Sequence, residues 1–463
     1  MPVWIIILSV LFLVLAIFRL DLALLLLIAA LPSYLIRFQL AGLPFTFLEV
    51  MILISFIVWF GKFFVPNLKN LWKNRPSRIP YPFSWEIALA VIIAFVSVGV
   101  AGFSTEALGI WKAYFFEPAL LFILLFNIFK TKREWLKIFW ALLLSAVVVS
   151  LFALVQKITG NFIANPFWAA EAQRRTVSFF GYPNAVGLYL APIVALLTGW
   201  LFYKKEKNSL LKTALILTSI ILAVLAVWFA RSEGALIGLA AALFVFGLLA
   251  NKISRLTTII ILIFGAAIIF SSPVLKTVLL EKVALRDLSG EIRRQQWRET
   301  GQMLSGSRFW LGAGLSNYQA AVSPYHQEGI FFNRDKIENF HAQAWVSAEL
   351  REKYWQPVEI YLYPHNIILN FWSELGLAGA LLFLWIIIKH LYISLRLTVA
   401  YSRDKRSEKY LALGLLMAMV TIVVHGLVDV PYFKNDLAAM FWLLIAFAGA
   451  WHLDYRRDQE LKN

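Results

Sequence analysis

A histidine and a set of arginines at the ends of hydrophobic segments are the residues of this sequence best suited to chemistry. His365 lies where a long polar stretch returns to an apolar one, in PHNIILNFWSELGLAG, which also contains Asn366, Glu374 and Gly376. Ionisable groups at a membrane boundary are functional candidates, because placing them there costs free energy. Histidine titrates near neutral pH, so His365 is suited to accept a proton from a hydroxyl. The alternative is an interfacial anchor whose ring lies among lipid headgroups.

Three arginines occupy comparable positions. Arg231 directly follows an apolar segment in the turn ARSEGAL, and Arg175 precedes another in RRTVSFFGYPNAVGLYL. Arg293 stands four residues before Trp297, which predicts that both lie on one face of a helix. A guanidinium group binds phosphate in a bidentate way, so these arginines indicate a diphosphate site. The alternatives are headgroup anchors and, for Arg231, an ion pair with Glu233.

Several other chemistries have no pattern in the sequence. There is no cysteine, which excludes disulfides, thiolate nucleophiles and cysteine metal sites. We find no HExxH spacing, acidic cluster for a divalent cation or GxSxG nucleophile, and we predict neither a metal nor a cofactor. The Gly-x-Gly pair at 312–314 lacks the strand–turn–helix context of a phosphate loop and predicts a tight turn. One histidine with several arginines fits proton abstraction from a hydroxyl beside a bound diphosphate.

Membrane helices are the elements that must position these residues. Hydrophobic residues make up 60% of the chain and charged residues 15%, with a mean hydropathy of +0.73. Soluble domains are only about half apolar and about a quarter charged. Apolar segments fall at 3–18, 20–37, 45–63, 85–103, 107–128, 138–157, 183–203, 213–230, 234–250, 256–271, 366–388, 409–428 and 434–452. They predict an all-α polytopic membrane protein with about 12–13 transmembrane helices, twelve if the two short first segments count as one.

The short basic loops predict the orientation. Counting the segments between them places all of these loops on one side, which the positive-inside rule assigns to the cytoplasm. The net charge of +16 therefore reflects topology, and we expect no nucleic-acid partner. The basic loops lie at 62–84, 129–137, 204–212, 252–255 and 389–409.

This orientation divides the chain into three parts. Residues 1–271 form an N-terminal transmembrane bundle of about ten spans, and residues 272–365 form one large, mostly helical extracytoplasmic loop. Residues 366–463 supply three further spans and a cytoplasmic tail. The candidate residues then lie on the extracytoplasmic side of the membrane.

The order of the motifs resembles the O-antigen ligase and polymerase superfamily of bacterial envelope enzymes. The motifs are GYPNAVGLYL, ARSEGAL, an Arg-x-x-x-Trp helix, GAGLSNY, His-x10-Gly and HGLVDVP, from about residue 175 to residue 429. The family often has Ser-Arg-Gly at the arginine turn, whereas here two residues stand between Arg231 and Gly234.

The resemblance implies a metal-independent glycosyltransferase of the inner (cytoplasmic) membrane. Such an enzyme moves a glycan from an undecaprenyl-diphosphate carrier to an acceptor hydroxyl at the outer face, and direct displacement inverts the anomeric configuration. By matched positions His365 would be the base, and Arg231 and Arg293 would hold the diphosphate. Arg175 would be a further cation over the same cavity. The acceptor would be a lipid such as the lipid A core of lipopolysaccharide, a growing glycan or a protein.

Three residues near the histidine are predicted to support it. Asn366 stands beside His365, and Glu374 lies in the helix that the histidine begins. The small residue Gly376 would let that helix approach a neighbour closely and hold the imidazole in position.

Other functions remain open on the sequence. A polysaccharide polymerase or a protein O-glycosyltransferase of the same superfamily would share this architecture. A transporter is the alternative from another class, and a non-catalytic scaffold for envelope assembly is a third. Transporters tend to place polar groups at the bilayer midplane in broken helices, whereas here the span centres are nearly free of charge. This distribution favours an enzyme acting at the outer boundary.

Overall fold

Helices make up most of the structure, a computed structural model that describes residues 2–40, 43–66, 82–203, 210–404 and 406–460. Part of the predicted basic loops, at 67–81 and 204–209 and at Lys405, lies outside the described residues. The helices longer than one turn are α1 (Val3–Phe18), α2 (Leu20–Ala29), α3 (Phe47–Phe64), α4 (Ser84–Val100), α5 (Thr105–Ile128), α6 (Lys132–Thr159), α7 (Pro183–Phe202), α8 (Leu210–Phe229), α9 (Glu233–Ala250), α10 (Lys252–Ser271), α11 (Pro273–Val283), α12 (Leu288–Leu304), α13 (Tyr318–Val322), α14 (Phe340–Val346), α15 (Ala348–Tyr354), α16 (Ile367–Arg403), α17 (Lys409–Gly426) and α18 (Asn435–Glu460).

Ten of the described helices are long and apolar enough to cross a membrane, which confirms a polytopic, mainly α-helical membrane protein. Three of the thirteen predicted segments, α1, α2 and α4, form shorter apolar helices. The prediction of a span over 20–37 is wrong in its second half, because α2 ends at Ala29 and a 3-10 turn, Leu31–Leu35, follows. Pro32 explains this end, since proline lacks a backbone donor and disfavours helical geometry in the residue before it.

Two small antiparallel hairpins were not predicted. Strands β1 (Arg37–Leu40) and β2 (Leu43–Thr46) pair between α2 and α3. Strands β3 (Gly329–Phe331) and β4 (Trp355–Pro357) pair within the segment between α10 and α16. Each strand has only three or four residues, too few for a periodic pattern to be recognised in the sequence.

The core of the bundle is formed by α7, α17 and α18, which have the largest buried fractions of the candidate spans. α7 and α17 approach each other closely at Gly199 and Gly414, where a Cβ added to Gly199 would lie only 2.6 Å from the Gly414 Cα. Small residues permit such contacts between membrane helices. In contrast, no residue in the apolar window of α10 is buried, so this helix lies at the periphery.

Ion pairs join several basic loops at one end of the bundle. Lys132, at the start of α6, lies 2.7 Å from Asp454 and 3.8 Å from Glu408. Arg406 donates to Asp458 at 2.7 Å. The loop before α6, the loop before α17 and the C-terminal part of α18 therefore share one end, in keeping with the prediction that these loops share a side.

Candidate active site

His365 lies in the turn before α16 with a positive φ of 46°. A non-glycine residue rarely adopts this conformation, which persists only where the surrounding structure fixes it. Two hydrogen bonds fix the conformation of His365, one at the residue before it and one at the residue after it. The Trp297 indole donates to the Pro364 carbonyl at 2.8 Å, and the Asn366 amide donates to the Leu427 carbonyl at 3.1 Å. Asn366 also caps α16, because its side-chain oxygen accepts from the first free backbone N–H groups of that helix.

Asp429 is a buried carboxylate in the turn between α17 and α18. It faces two imidazoles, those of His365 and His425. His365 Nδ1 lies 3.6 Å from Asp429 Oδ1, and His425 Nε2 lies 3.8 Å from Oδ2. Both separations exceed a hydrogen bond, so the interactions are electrostatic at these distances. The Asn184 amide does form a hydrogen bond, donating to Oδ2 at 3.0 Å.

The protonation state of Asp429 follows from these neighbours. Burial raises the pKa of Asp429, but the interactions with His365 and His425 outweigh it and hold the pKa well below its usual range. The carboxylate is therefore ionised at neutral pH. A fixed negative charge 3.6 Å from His365 Nδ1 orients the imidazole ring.

Arg175 links the arginine turn to the start of α7. Its Nε donates to the Ala230 carbonyl at 3.0 Å, and its Nη2 donates to the Arg231 carbonyl at 3.3 Å and to Asn184 Oδ1 at 3.2 Å. Burial, with the nearby Arg231 charge, lowers the pKa of Arg175. Arginine still remains protonated at neutral pH. Through Asn184, this guanidinium is two hydrogen bonds away from Asp429.

The turn that contains Arg231 is strained and packs close to the His425 imidazole. Arg231 has a φ of 50°. Glu233 does not pair with it, because that carboxylate binds Lys282 at 2.8 Å instead. A Cβ added to Gly234 would lie 2.5 Å from the His425 ring, so glycine is required where α9 begins.

Arg293 approaches the same turn from α12. Its Nε donates to the Val428 carbonyl at 2.9 Å, one residue before the buried carboxylate. Arg294 instead pairs with Glu291 at 2.9 Å. Arg293 and Trp297 thus extend from one face of α12 toward the histidine and its neighbours, as their four-residue spacing predicts.

Glu374 and Gly376 lie further along α16 and contact the turn at 310–316. Glu374 Oε2 accepts from the Ser316 backbone N–H at 2.8 Å. Gly376 breaks the helix with φ 74° and ψ 179°, and the next backbone N–H donates to the Trp310 carbonyl at 3.1 Å. The close neighbour of Gly376 is therefore the turn around 310–316. Both residues anchor the Gly-x-Gly turn rather than the imidazole itself.

The structure thus places His365, Arg293 and, through Asn184, Arg175 around residues 427–429. Arg231 is exposed and joins them through its backbone carbonyl, which accepts from Arg175. The site residues predicted from the sequence did not include Asp429, His425 and Asn184. Their signal was present in HGLVDVP, which places a histidine and an aspartate four residues apart, and in the Pro-Asn start of α7. None of these patterns shows by itself that the two motifs meet at His365.

Comparison with known families agrees with the motif order. Residues 217–384 match a family described as O-antigen ligase, which confirms the resemblance to that superfamily. The matched segment contains Arg231, Arg293 and His365, whereas Arg175 and Asp429 lie outside it. No curated protein matches the chain.

Proposed function

We propose that this multi-pass membrane protein, whose residues 217–384 match the O-antigen ligase family, transfers a glycan from an undecaprenyl-diphosphate carrier to an acceptor hydroxyl. One observation carries this proposal. The His365 imidazole lies 3.6 Å from a buried, ionised carboxylate, within a turn cluster that also holds the guanidinium groups of Arg175 and Arg293. A base beside cations fits the reaction, which removes a proton from a hydroxyl and expels a diphosphate.

The histidine is the proposed base. Its Nδ1 faces Asp429, which leaves Nε2 as the ring nitrogen that accepts the proton. The acceptor oxygen attacks the anomeric carbon, the bond from that carbon to the diphosphate oxygen breaks, and the acceptor proton moves to His365. Asp429 stabilises the imidazolium that forms, in the way a carboxylate supports a catalytic histidine in other enzymes.

The arginines are the proposed diphosphate ligands. The leaving diphosphate gains negative charge in the transition state, so fixed guanidinium groups stabilise that state more than the ground state. Main-chain carbonyls hold the Nε atoms of Arg175 and Arg293. This arrangement fixes the two groups while other N–H donors remain for phosphate oxygens. Arg231, in the turn whose carbonyl accepts from Arg175, is the third ligand.

We place this site on the extracytoplasmic side of the inner membrane. α17 supports the assignment, because it begins close to the basic residue Arg406 and ends at Gly426, directly after His425. Its 18 residues extend about 27 Å, close to the thickness of a bilayer hydrocarbon core. The basic end and the candidate site are therefore separated by about one membrane thickness, and the segment 272–365 lies with the site.

The stereochemistry of the product tests the proposal. Purified protein in detergent is given the lipid-linked glycan of its own bacterium and an acceptor, with a chelator present. We expect transfer to continue, and we expect NMR of the new glycosidic bond to show the anomeric configuration opposite to that of the donor. A retained configuration would contradict direct displacement, and a strict requirement for added metal would contradict the metal-independent mechanism.

A further inference from the structure

Two arginines from different helices line one cavity at the end of the bundle where the basic loops meet. Arg396 belongs to α16 and Arg456 to α18, and the cavity that both line has a volume of about 390 Å³. The Tyr401 ring of α16 contacts the Tyr455 ring of α18, with 5.3 Å between the ring centres. This contact joins the two helices beside the cavity and keeps both guanidinium groups on its wall. We call this cavity the arginine cleft.

Both guanidinium groups of the arginine cleft are available to an anion. Among the described residues, neither forms an ion pair. Glu460 also lines the cleft and lies four residues after Arg456, but the two side chains do not pair. The preceding carboxylates of α18, those of Asp454 and Asp458, bind cations of other loops. Two like charges that share one cavity repel each other, so an anion between them lowers the electrostatic free energy.

The arginine cleft lies at the level of lipid headgroups. Arg456 follows Asn435, at the candidate-site end of α18, by about 20 residues, which is about 30 Å along a helix. The hydrocarbon core of a bilayer is also about 30 Å thick. With the candidate site at one membrane surface, the cleft therefore lies at the other surface, which the basic loops assign to the cytoplasm.

A second cavity continues the cleft along an apolar face of α16. Its volume is about 430 Å³, and Arg396 and Tyr455 line both cavities. Leu395 and Val399 form part of its wall, and each is 41% exposed. They lie four residues apart, on one face of the helix. Arg403 lines the same cavity. Guanidinium groups thus adjoin an exposed apolar surface, a combination that fits the headgroup and acyl chain of a lipid better than a free ion.

We propose that the arginine cleft binds the phosphate of an anionic phospholipid of the cytoplasmic leaflet. The phosphate oxygens accept from Arg396 and Arg456, since guanidinium groups bind phosphate in a bidentate way. An acyl chain of the same lipid packs against Leu395 and Val399 in the second cavity. Basic pockets between membrane helices on the cytoplasmic side bind headgroups of this class. The lipid site is separate from the candidate active site and does not depend on the proposed reaction.

Native mass spectrometry of the purified protein in neutral detergent tests the inference. The protein is titrated with phosphatidylglycerol, with phosphatidylethanolamine of the same acyl chains, or with inorganic phosphate. Arg396→Gln, Arg456→Gln and the double variant remove the charges of the cleft. Arg133→Gln is the matched control, because Arg133 is an exposed arginine in the first turn of α6, at the same end of the bundle.

We expect the wild type to bind phosphatidylglycerol more tightly than phosphatidylethanolamine, whose headgroup carries no net charge. Each single substitution should weaken the binding of phosphatidylglycerol about five-fold, and the double substitution about 25-fold, as the loss of one or two arginines at a membrane surface does. The affinity of every variant for phosphatidylethanolamine, and of Arg133→Gln for both lipids, should stay within about two-fold of the wild type. If the double variant does not fold, the two single variants carry the test.

Three results would overturn the inference. The first is an equal affinity of the wild type and the double variant for phosphatidylglycerol. The second is inorganic phosphate that binds the wild type as tightly as phosphatidylglycerol and does not bind the double variant, which would show a site for free phosphate. The third is a dimer of the wild type that the double variant does not form, which would place a second copy of the chain in the cleft.

Thermal unfolding gives an independent readout of the same site. A lipid that binds only the folded protein raises its Tm. Phosphatidylglycerol should therefore raise the Tm of the wild type and of Arg133→Gln and leave the Tm of the double variant nearly unchanged. An equal rise in all three proteins would contradict binding in the arginine cleft.

Discussion

Replacing Asp429 with Asn measures how much the buried carboxylate contributes to proton transfer. The two side chains have nearly the same shape, and an Asn oxygen still accepts the hydrogen bond from Asn184. What the variant loses is the negative charge 3.6 Å from the His365 ring. That charge stabilises the imidazolium, which exists only once the acceptor proton has moved.

The expected magnitude follows from this distance. Coulomb's law at 3.6 Å gives about 4.6 kcal/mol with an effective dielectric constant of about 20. The His365 side chain is 30% exposed, so solvent screens part of this interaction, and we take about half, ~2.3 kcal/mol. Because about 1.36 kcal/mol corresponds to a ten-fold change in rate, we expect transfer to slow about 50-fold.

Single-turnover transfer from the lipid-linked glycan is the assay, because it reports the chemical step without product release. Asp335→Asn is the matched control, since Asp335 is an exposed carboxylate whose nearest ion-pair partner is Lys353 at 3.5 Å. We expect the control to transfer at the wild-type rate. An Asp429→Asn protein that folds normally and transfers as fast as the wild type would refute the role of the carboxylate.

Two further predictions concern the arginines and the orientation. Arg231→Lys should reduce kcat/KM about ten- to hundred-fold, because lysine lacks the planar guanidinium that binds phosphate in a bidentate way. The control Arg406→Lys, at the basic end of the bundle, should keep a kcat/KM near that of the wild type, and equal losses in both variants would mean an effect on folding only. Single cysteines introduced at the exposed positions Gln302 and Ser402 should differ in their labelling by an impermeant thiol reagent in intact cells, with only the first labelled. Labelling of only the second would reverse the orientation.

The membrane helices were largely predictable because length and composition determine them. A segment of about 20 apolar residues must form a helix to satisfy its backbone in lipid, and the described helices match the predicted segments closely. One exception is α2, where Pro32 ends the helix inside an apolar run. Another is α16, which continues to Arg403 through much of the predicted loop 389–409. A hydropathy criterion is insensitive to proline, although the chemistry of that residue predicts the break.

The candidate site was predictable only in part, because its residues come from distant parts of the chain. His365 and the arginines stood out as charges beside apolar segments. The contact of His365 with Asp429 joins residues 64 positions apart, and only the packing of α17 and α18 against α16 brings them together. The break at Gly376 was also hidden, because the apolar pattern continues through it and the compensating hydrogen bonds come from the turn near Trp310.

The most direct test of the account is the transfer rate of a His365→Ala protein with chelator present. A positioned base contributes about a hundred- to ten-thousand-fold in rate, so we expect the variant to fold, to bind the lipid-linked glycan and to transfer it at least about a hundred-fold more slowly. His452→Ala, which removes a histidine from the other end of α18, should transfer at the wild-type rate. Near-wild-type transfer by a folded His365→Ala protein would contradict the account.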